Sequence, residues 1–275
     1  MADDASVKFL YGTRGGRVLL RIILACRVPK LLGFYLRTPL SCPLIPWFIK
    51  KNAVPMDEFK GQTYKSFNDF FTRKKETTFD TEKTHLISPC DSLLSVYDIT
   101  DSSTFHIKGY DYTISDFLQN PELERQYAGG TCLVFRLCAT DYHRYCYIDD
   151  GYQGQNHYIE GSLYSVQPLA CRNFRVYTKN RRSWTVLQTE HFGNVAQIEI
   201  GAFSVGGIKN LYHDAGFKKG QEKGYFDLHG STIVLLFEKG RIQLLRNITD
   251  ALAADAAAEY RVTSGMYIGD AAAQE

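Results

Sequence analysis

The sequence predicts an α+β protein: one mostly antiparallel β domain preceded by a small helical region at the N-terminus. Three observations carry this expectation. Apolar runs of strand length recur from Leu93–Tyr97 through Thr131–Leu137 to Ile233–Phe237, each bounded by turn residues. Tyrosine and phenylalanine, at 18 and 17, are abundant and favour strands over helices. Residues 1–53 have a different texture: basic and apolar groups are interleaved, and Pro29, Pro39, Pro43 and Pro46 break the segment into short pieces. The 275 residues suffice for one large domain or two small ones, and 44% hydrophobic with 23% charged residues is ordinary for a globular chain. A net charge of +2 gives no global nucleic-acid signal. The seven cysteines are scattered, odd in number and without CxxC spacing, so neither a zinc cluster nor a disulfide framework is expected, and a reducing compartment is. Internal repeats, Walker motifs and GxGxxG fingerprints are absent.

The N-terminal segment carries Lys8, Arg14, Arg17, Arg21, Arg27, Lys30, Arg37, Lys50 and Lys51 against only Asp3 and Asp4. Apolar groups such as Val18-Leu19-Leu20, Phe34-Tyr35-Leu36 and Trp47-Phe48-Ile49 lie between them. No run approaches the ~20 residues needed to span a bilayer, and no small-residue cleavage site follows a long apolar core. Two uses fit such a segment. Its helices lie in a membrane interface, with basic groups on anionic headgroups and aromatics below them, or they form a cap packed on the domain.

Next, Ser66 or Asn68 can cap a short helix that buries Phe67, Phe70 and Phe71. Ser88-Pro89-Cys90-Asp91 precedes a strand, and Asp91 in such a turn can bond nearby amides. Residues 101–130 read as a connection with one short helix near Ser115–Leu118 ending before Pro121. The strand Thr131–Leu137 leads to Asp141-Tyr142-His143-Arg144, where a histidine at a strand end is a candidate proton carrier or a packed ring. Arg172, Arg175, Lys179, Arg181 and Arg182 form a basic patch around Trp184, expected to be a solvated loop, with a site for an anionic headgroup or membrane surface as the alternative. Residues 190–208 contain two strands with internal glycines, His191 is expected to be structural, and the alanine-rich tail is expected to be mobile at its end.

The stretch around which the chain is organised is Gly224–Phe237. Its second half is a buried strand, and Gly230-Ser231-Thr232 stands in front of it. Such a pair is a tight turn on spacing alone. It also places a hydroxyl directly after a glycine whose carbonyl is sterically open.

Lys218–Phe226 (KKGQEKGYF) followed by Gly230-Ser231-Thr232 resembles the C-terminal signature of the phosphatidylserine decarboxylase family. Phe70-Phe71-Thr72-Arg73, Pro89-Cys90-Asp91 and Asp141-Tyr142-His143-Arg144 are similar to three further motifs of that family, and Val166-Gln167-Pro168 is a loose counterpart of another. The resemblance implies that the chain cuts itself between Gly230 and Ser231, giving a heterodimer of a β chain ending at Gly230 and an α chain beginning at Ser231. It implies a pyruvoyl group derived from Ser231, without pyridoxal phosphate or metal. The substrate implied is phosphatidylserine, converted to phosphatidylethanolamine on an anionic phospholipid membrane. Asp91 would orient and charge the base that activates the serine, and His143 would serve the decarboxylation step. The family usually has a second histidine three residues further on, as the base for cleavage; here that position is Cys146. His143, Cys146 and His229 are the candidate bases, in that order. With a lipid substrate the division expected is a membrane-associating helical region over 1–65 and a self-processing domain over 66–275, peripheral on the cytoplasmic face of a membrane. The alternatives are a pyruvoyl decarboxylase of a soluble amino acid and an uncleaved lipid-binding relative.

Overall fold

The computed structural model describes residues 5–26, 28–107, 110–202, 207–228, 231–255 and 258–272. The chain begins with four helices, α1 (Ala5–Gly12), α2 (Arg14–Ala25), α3 (Val28–Leu36) and α4 (Leu44–Asn52), and then the short α5 (Phe67–Phe71). Strands follow: β1 (His85–Ile87), β2 (Ser92–Asp98), β3 (Thr104–Ile107) and β4 (Tyr110–Thr113), with α6 (Ile114–Leu118) before β5 (Thr131–Leu137). The middle of the chain adds β6 (Arg144–Cys146), β7 (Gly151–Gln153), β8 (His157–Ile159), α7 (Pro168–Asn173) and α8 (Val176–Lys179). Next come β9 (Arg182–Thr189), β10 (Asn194–Gly201), β11 (Gly207–Asn210), β12 (Ala215–Phe217), β13 (Glu222–Asp227) and β14 (Ser231–Phe237). The last part holds β15 (Ile242–Leu244), α9 (Arg246–Ala253), β16 (Tyr260–Val262) and β17 (Tyr267–Ala271).

The expected α+β architecture is present, and every pairing between these strands is antiparallel. A nine-stranded sheet runs β12-β7-β9-β10-β14-β5-β2-β16, with β8 also on β9. Smaller sheets run β1-β17-β15, β11-β13-β6 and β3-β4. The central strands are apolar on both faces because both faces are covered. Val134, Ala196, Ile198, Val234 and Leu236 point into a cluster shared with the helices. Leu133, Phe135, Ile233, Leu235 and Phe237 point the other way, into a cluster shared with the small sheets. Successive residues of a strand face opposite sides, so a two-sided core turns β14 into the continuous apolar run seen in the sequence.

The short elements have local causes. Ser66 caps α5 by accepting from Asp69 N–H at 3.2 Å. Thr113 and Asp116 form a reciprocal capping box at α6. Two glycines of the Lys218–Phe226 motif are dictated by space. A Cβ at Gly224 would stand 2.2 Å from the Lys209 carbonyl oxygen, and Gly220 turns with φ +75° against the Phe79 ring.

One buried ion pair ties the layer of β13 to the nine-stranded sheet. Lys223 Nζ donates to Glu199 Oε1 and to Asn210 Oδ1, both at 2.7 Å, and neither charged side chain is exposed. Gln197 Nε2 also donates to Glu199 Oε1, and Asn210 Nδ2 reaches Ser183 Oγ and Glu199 Oε2. Burial lowers the affinity of Lys223 for its proton, and Glu199 opposes that shift. Removing one partner strands the other charge without water. Lys223→Met or Glu199→Leu alone should lower the unfolding free energy by about 3–5 kcal/mol, and the double replacement should regain most of it. Urea midpoints of the three variants check this expectation.

Candidate active site

Ser231 is the first residue of β14 and is 1% exposed. It is held in register from both sides, opposite Gly201 of β10 and Leu137 of β5. By strand alternation it faces the same side as Ile233 and Leu235, toward the layer that contains β6 and β13. Gly201 is itself pinned: its carbonyl accepts from Asn180 Nδ2 at 2.9 Å, and its N–H donates to the Arg181 carbonyl at 2.9 Å. Gly230 and the alternative base His229 lie outside the described residues.

Two connections leave the nine-stranded sheet from paired positions. One runs from Leu137, opposite Ser231, to His143; the other joins Ser231 back to β13. At their far ends Phe226 N–H donates to the His143 carbonyl at 2.9 Å, and Arg144 pairs with Tyr225. Thus the histidine and serine motifs, distant in sequence, adjoin at both ends of these connections.

His143 is fully buried. Its Nδ1 lies 2.9 Å from the Asp141 main-chain oxygen. A carbonyl only accepts, so Nδ1 carries a proton, and the neutral form of the ring is the tautomer with its lone pair on Nε2. The Asp141 residue that supplies this oxygen is itself fixed. Its carboxylate takes Arg261 NH1 and NH2 at 3.1 and 2.5 Å and the Cys138 N–H at 2.7 Å. The bond to Asp141 raises the Arg261 pKa. The Phe71 ring packs on the imidazole at a centroid separation of 4.1 Å.

Asp91 is positioned differently. Its Oδ1 accepts from Ser264 N–H at 2.8 Å, and Lys75 Nζ lies 3.7 Å from Oδ2. Cys146 shares Ser264 with it, since Cys146 Sγ is 3.9 Å from Ser264 Oγ. Asp91 therefore accompanies the thiol position, while the contact at His143 Nδ1 is a main-chain oxygen. A thiolate base needs an environment that lowers its pKa, and Cys146 has the reverse. Burial pushes the thiol up to about 11, with Asp91 adding to the rise against bonds that lower it. At neutral pH such a thiol is ionised about one part in ten thousand, so using its thiolate costs about 5 kcal/mol.

The N-terminal helices form the remaining wall. Phe67, Phe70 and Phe71 of α5 share a cluster with Leu36, Ile45, Phe48 and Leu228. Leu228 has φ +46°, a left-handed conformation that costs a non-glycine residue about 1–2 kcal/mol. Arg73 is buried against the Phe59 and Phe70 rings and donates to the Phe70 carbonyl, and Arg144 donates to the Thr72 carbonyl at 2.9 Å and to Glu222 Oε1 at 2.5 Å. These arginines bind the Phe70–Arg73, His143 and Lys218–Phe226 motifs to one another.

Arg261, Ser264 and Asn180 carry no signal of this kind in the sequence. The chain after the alanine-rich stretch forms β16 and β17 and supplies Arg261 and Ser264; the end of the tail, residues 273–275, where mobility is expected, lies outside the described residues. The basic patch is solvated only in part: Arg172 and Lys179, on α7 and α8, are exposed, and the other three arginines are held by protein groups. Arg182 is 1% exposed and donates to the Phe117, Thr178, Asn180 and Asp116 carbonyls, while Arg175 and Arg181 pair with Asp116 and Glu160. His191 holds Asp149 through both its main-chain N–H and Nδ1, a structural contact. Among the described residues, no three His, Cys, Asp or Glu side chains gather to hold a metal ion.

Residues 67–269 match the phosphatidylserine decarboxylase family. Phosphatidylserine decarboxylase proenzyme 2 of Clostridium acetobutylicum is 42% identical over 271 residues, covering 97% of this chain and 92% of its own length. The phosphatidylserine decarboxylase proenzyme of Clostridium kluyveri is 36% identical, covering 91% of this chain and 88% of its own length. That of Ruminiclostridium cellulolyticum is also 36% identical, covering 89% and 84%. The similarity spans every motif assembled around Ser231, and the chain belongs to the phosphatidylserine decarboxylase family.

Proposed function

We propose that this chain decarboxylates phosphatidylserine to phosphatidylethanolamine after cutting itself between Gly230 and Ser231. The observation that carries the reading is the placement of Ser231: buried, at the head of a central strand, and beside the connection that bears His143. Ser231 Oγ attacks the Gly230 carbonyl carbon and the peptide C–N bond breaks, giving an ester and a free amine that takes up the hydroxyl proton. Loss of the Ser231 Cα proton then expels the Gly230 carboxylate. The enamine left at position 231 tautomerises to an imine, and water displaces its nitrogen as ammonia. A serine hydroxyl needs a base for the first step. His143 Nε2 is the group assigned to it, because Nδ1 is committed to Asp141 and the Cys146 thiol holds its proton.

The fold suits such a cut and the group it would leave. Among the described residues, β13 ends at Asp227 and β14 begins at Ser231, so a cut between Gly230 and Ser231 falls outside both strands' described ladder pairs. The two products stay joined through β14 on β10 and β5, β16 on β2, and β17 on β1, which supports a heterodimer of α and β chains. The buried, apolar surroundings of position 231, Leu137 and Ile233 among them, keep water from a ketone. A pyruvoyl group there supplies an electron sink for loss of carbon dioxide from an amino acid. His143 Nε2 is the atom from which a proton would return to the substrate carbon.

The substrate class is supported by the N-terminal helices, residues 1–65 being read as the membrane-associating region. Among the described residues, eleven of the sixteen exposed large apolar side chains lie before residue 50, including Leu31, Phe34, Leu40 and Trp47 at 58–75% exposure. Exposed Arg14, Arg21, Lys30, Lys50 and Lys51 stand among them. An apolar face rimmed by cations fits an anionic bilayer surface. No helix among the described residues is long and apolar enough to cross one, so the contact proposed is peripheral, on the cytoplasmic face.

Intact-mass analysis should find two chains in the wild type, the α chain lighter than the simple hydrolysis product by one ammonia. Ser231→Ala should remain one chain; two chains in that variant would refute the reading. Cyanoborohydride with a primary amine should add mass to the α chain alone. Arg261→Ala should lower kcat about ten- to a hundredfold with little change in KM, as expected for a displaced proton carrier, and Arg261→Lys should restore part of the loss. Steady-state assays on phosphatidylserine in detergent micelles check this.

A further inference from the structure

Asp227 and Leu228 stand just upstream of the proposed scissile bond, yet the groups that grip their side chains come from the helices that precede the strands, α3 to α5. Arg37, directly after α3, donates through NH2 to Asp227 Oδ2 at 2.9 Å, and Asn68 Nδ2 of α5 stands 3.5 Å from Oδ1. The Asp227 side chain is only 7% exposed, whereas Arg37 is 43% exposed. Leu228 is fully buried among Leu36, Ile45, Phe48, Phe67, Phe70 and Phe71. A residue in this left-handed region persists where its surroundings hold it, and the socket fixes the Leu228 side chain. On the other side of the bond, Ser231 is fixed by β10 and β5. The segment to be cut therefore runs between two anchors, one in the central sheet and one in the helices.

We propose that Arg37 is a positioning residue for self-cleavage, acting through Asp227 and the Leu228 socket to fix how the chain approaches Ser231. The inference rests on the self-cleavage reading above. Attack of a hydroxyl on a neighbouring carbonyl depends steeply on approach, and a displacement of about 1 Å can cost a hundredfold in rate. Surface ion pairs as a class do little. This one differs because its carboxylate is enclosed and loses its cation when Arg37 is removed. The helices thus have two working faces: Leu36, Ile45 and Phe48 point inward to the cleavage segment, while Leu31, Phe34 and Trp47 point out.

The test follows precursor made by cell-free synthesis in lipid-free buffer, with the uncut fraction read over time by denaturing gel. Arg37→Ala and Asp227→Asn are expected to slow cleavage at least tenfold. Arg37→Lys should recover most of the rate, and the reversed pair R37D/D227R should cleave faster than either single reversal. Thermal midpoints of the same changes, made in uncut Ser231→Ala, separate positioning from loss of fold. Wild-type cleavage with an equally fast Arg37→Ala overturns this proposal alone. Slowing that tracks lost stability, with no rescue by lysine or by the reversed pair, also overturns it. A wild-type precursor that never cuts sinks the self-cleavage reading and this proposal with it.

Discussion

The antiparallel ladder that clasps Ser231 between Gly201 and Leu137 is the constraint from which the rest of the site follows. It fixes the serine at the start of a strand buried on both faces, and strand alternation sends its side chain toward the layer of β6 and β13. The chain must cross between those layers immediately before it, since β13 ends at Asp227 and β14 begins at Ser231. Leaving β5 at Leu137, a second crossing carries His143 to the same layer. Sheet topology thus brings together the segments that carry the histidine and the serine, and the Lys223–Glu199 pair joins the two layers.

Chemistry is then divided by environment. His143 and Cys146 are three residues apart and both buried, but their surroundings differ. The imidazole has one nitrogen committed to the Asp141 carbonyl, and that residue is braced by Arg261 and the Cys138 amide. The thiol has burial and a nearby carboxylate, both of which favour its neutral form, outweighing the bonds that act the other way. Asp91, bound to the Ser264 amide and near Lys75, belongs to the thiol side of the site. The Asp91–Cys146 neighbourhood therefore pairs its carboxylate with the Ser264 amide and Lys75, and has a thiol where the family usually has a histidine.

Much of this was legible in the sequence where it depends on local pattern. Thr131–Leu137 and Ile233–Phe237 read as strands because two-sided burial leaves no polar interruption. Ser66 and the three phenylalanines after it announced α5. What escaped depends on partners remote in sequence. Arg261 lies in a three-residue strand after an alanine-rich stretch, and it meets Asp141 only because β16 adds to the sheet edge at β2. Arg182 looked like one of a solvated group, yet alternation along β9 turns it inward, where four carbonyls accept from its guanidinium. The left-handed turn at Leu228 has no signature at all, because a leucine is not the residue such a backbone selects.

The central claim is that an imidazole with a fixed tautomer, and not a thiol kept protonated, activates the buried serine. The most direct measurement compares precursor lifetimes of His143→Gln and Cys146→Ser by intact mass, alongside the wild type. The account predicts that His143→Gln stays a single chain while Cys146→Ser separates into two on the wild-type timescale. An uncut Cys146→Ser beside a normally processed His143→Gln would contradict it.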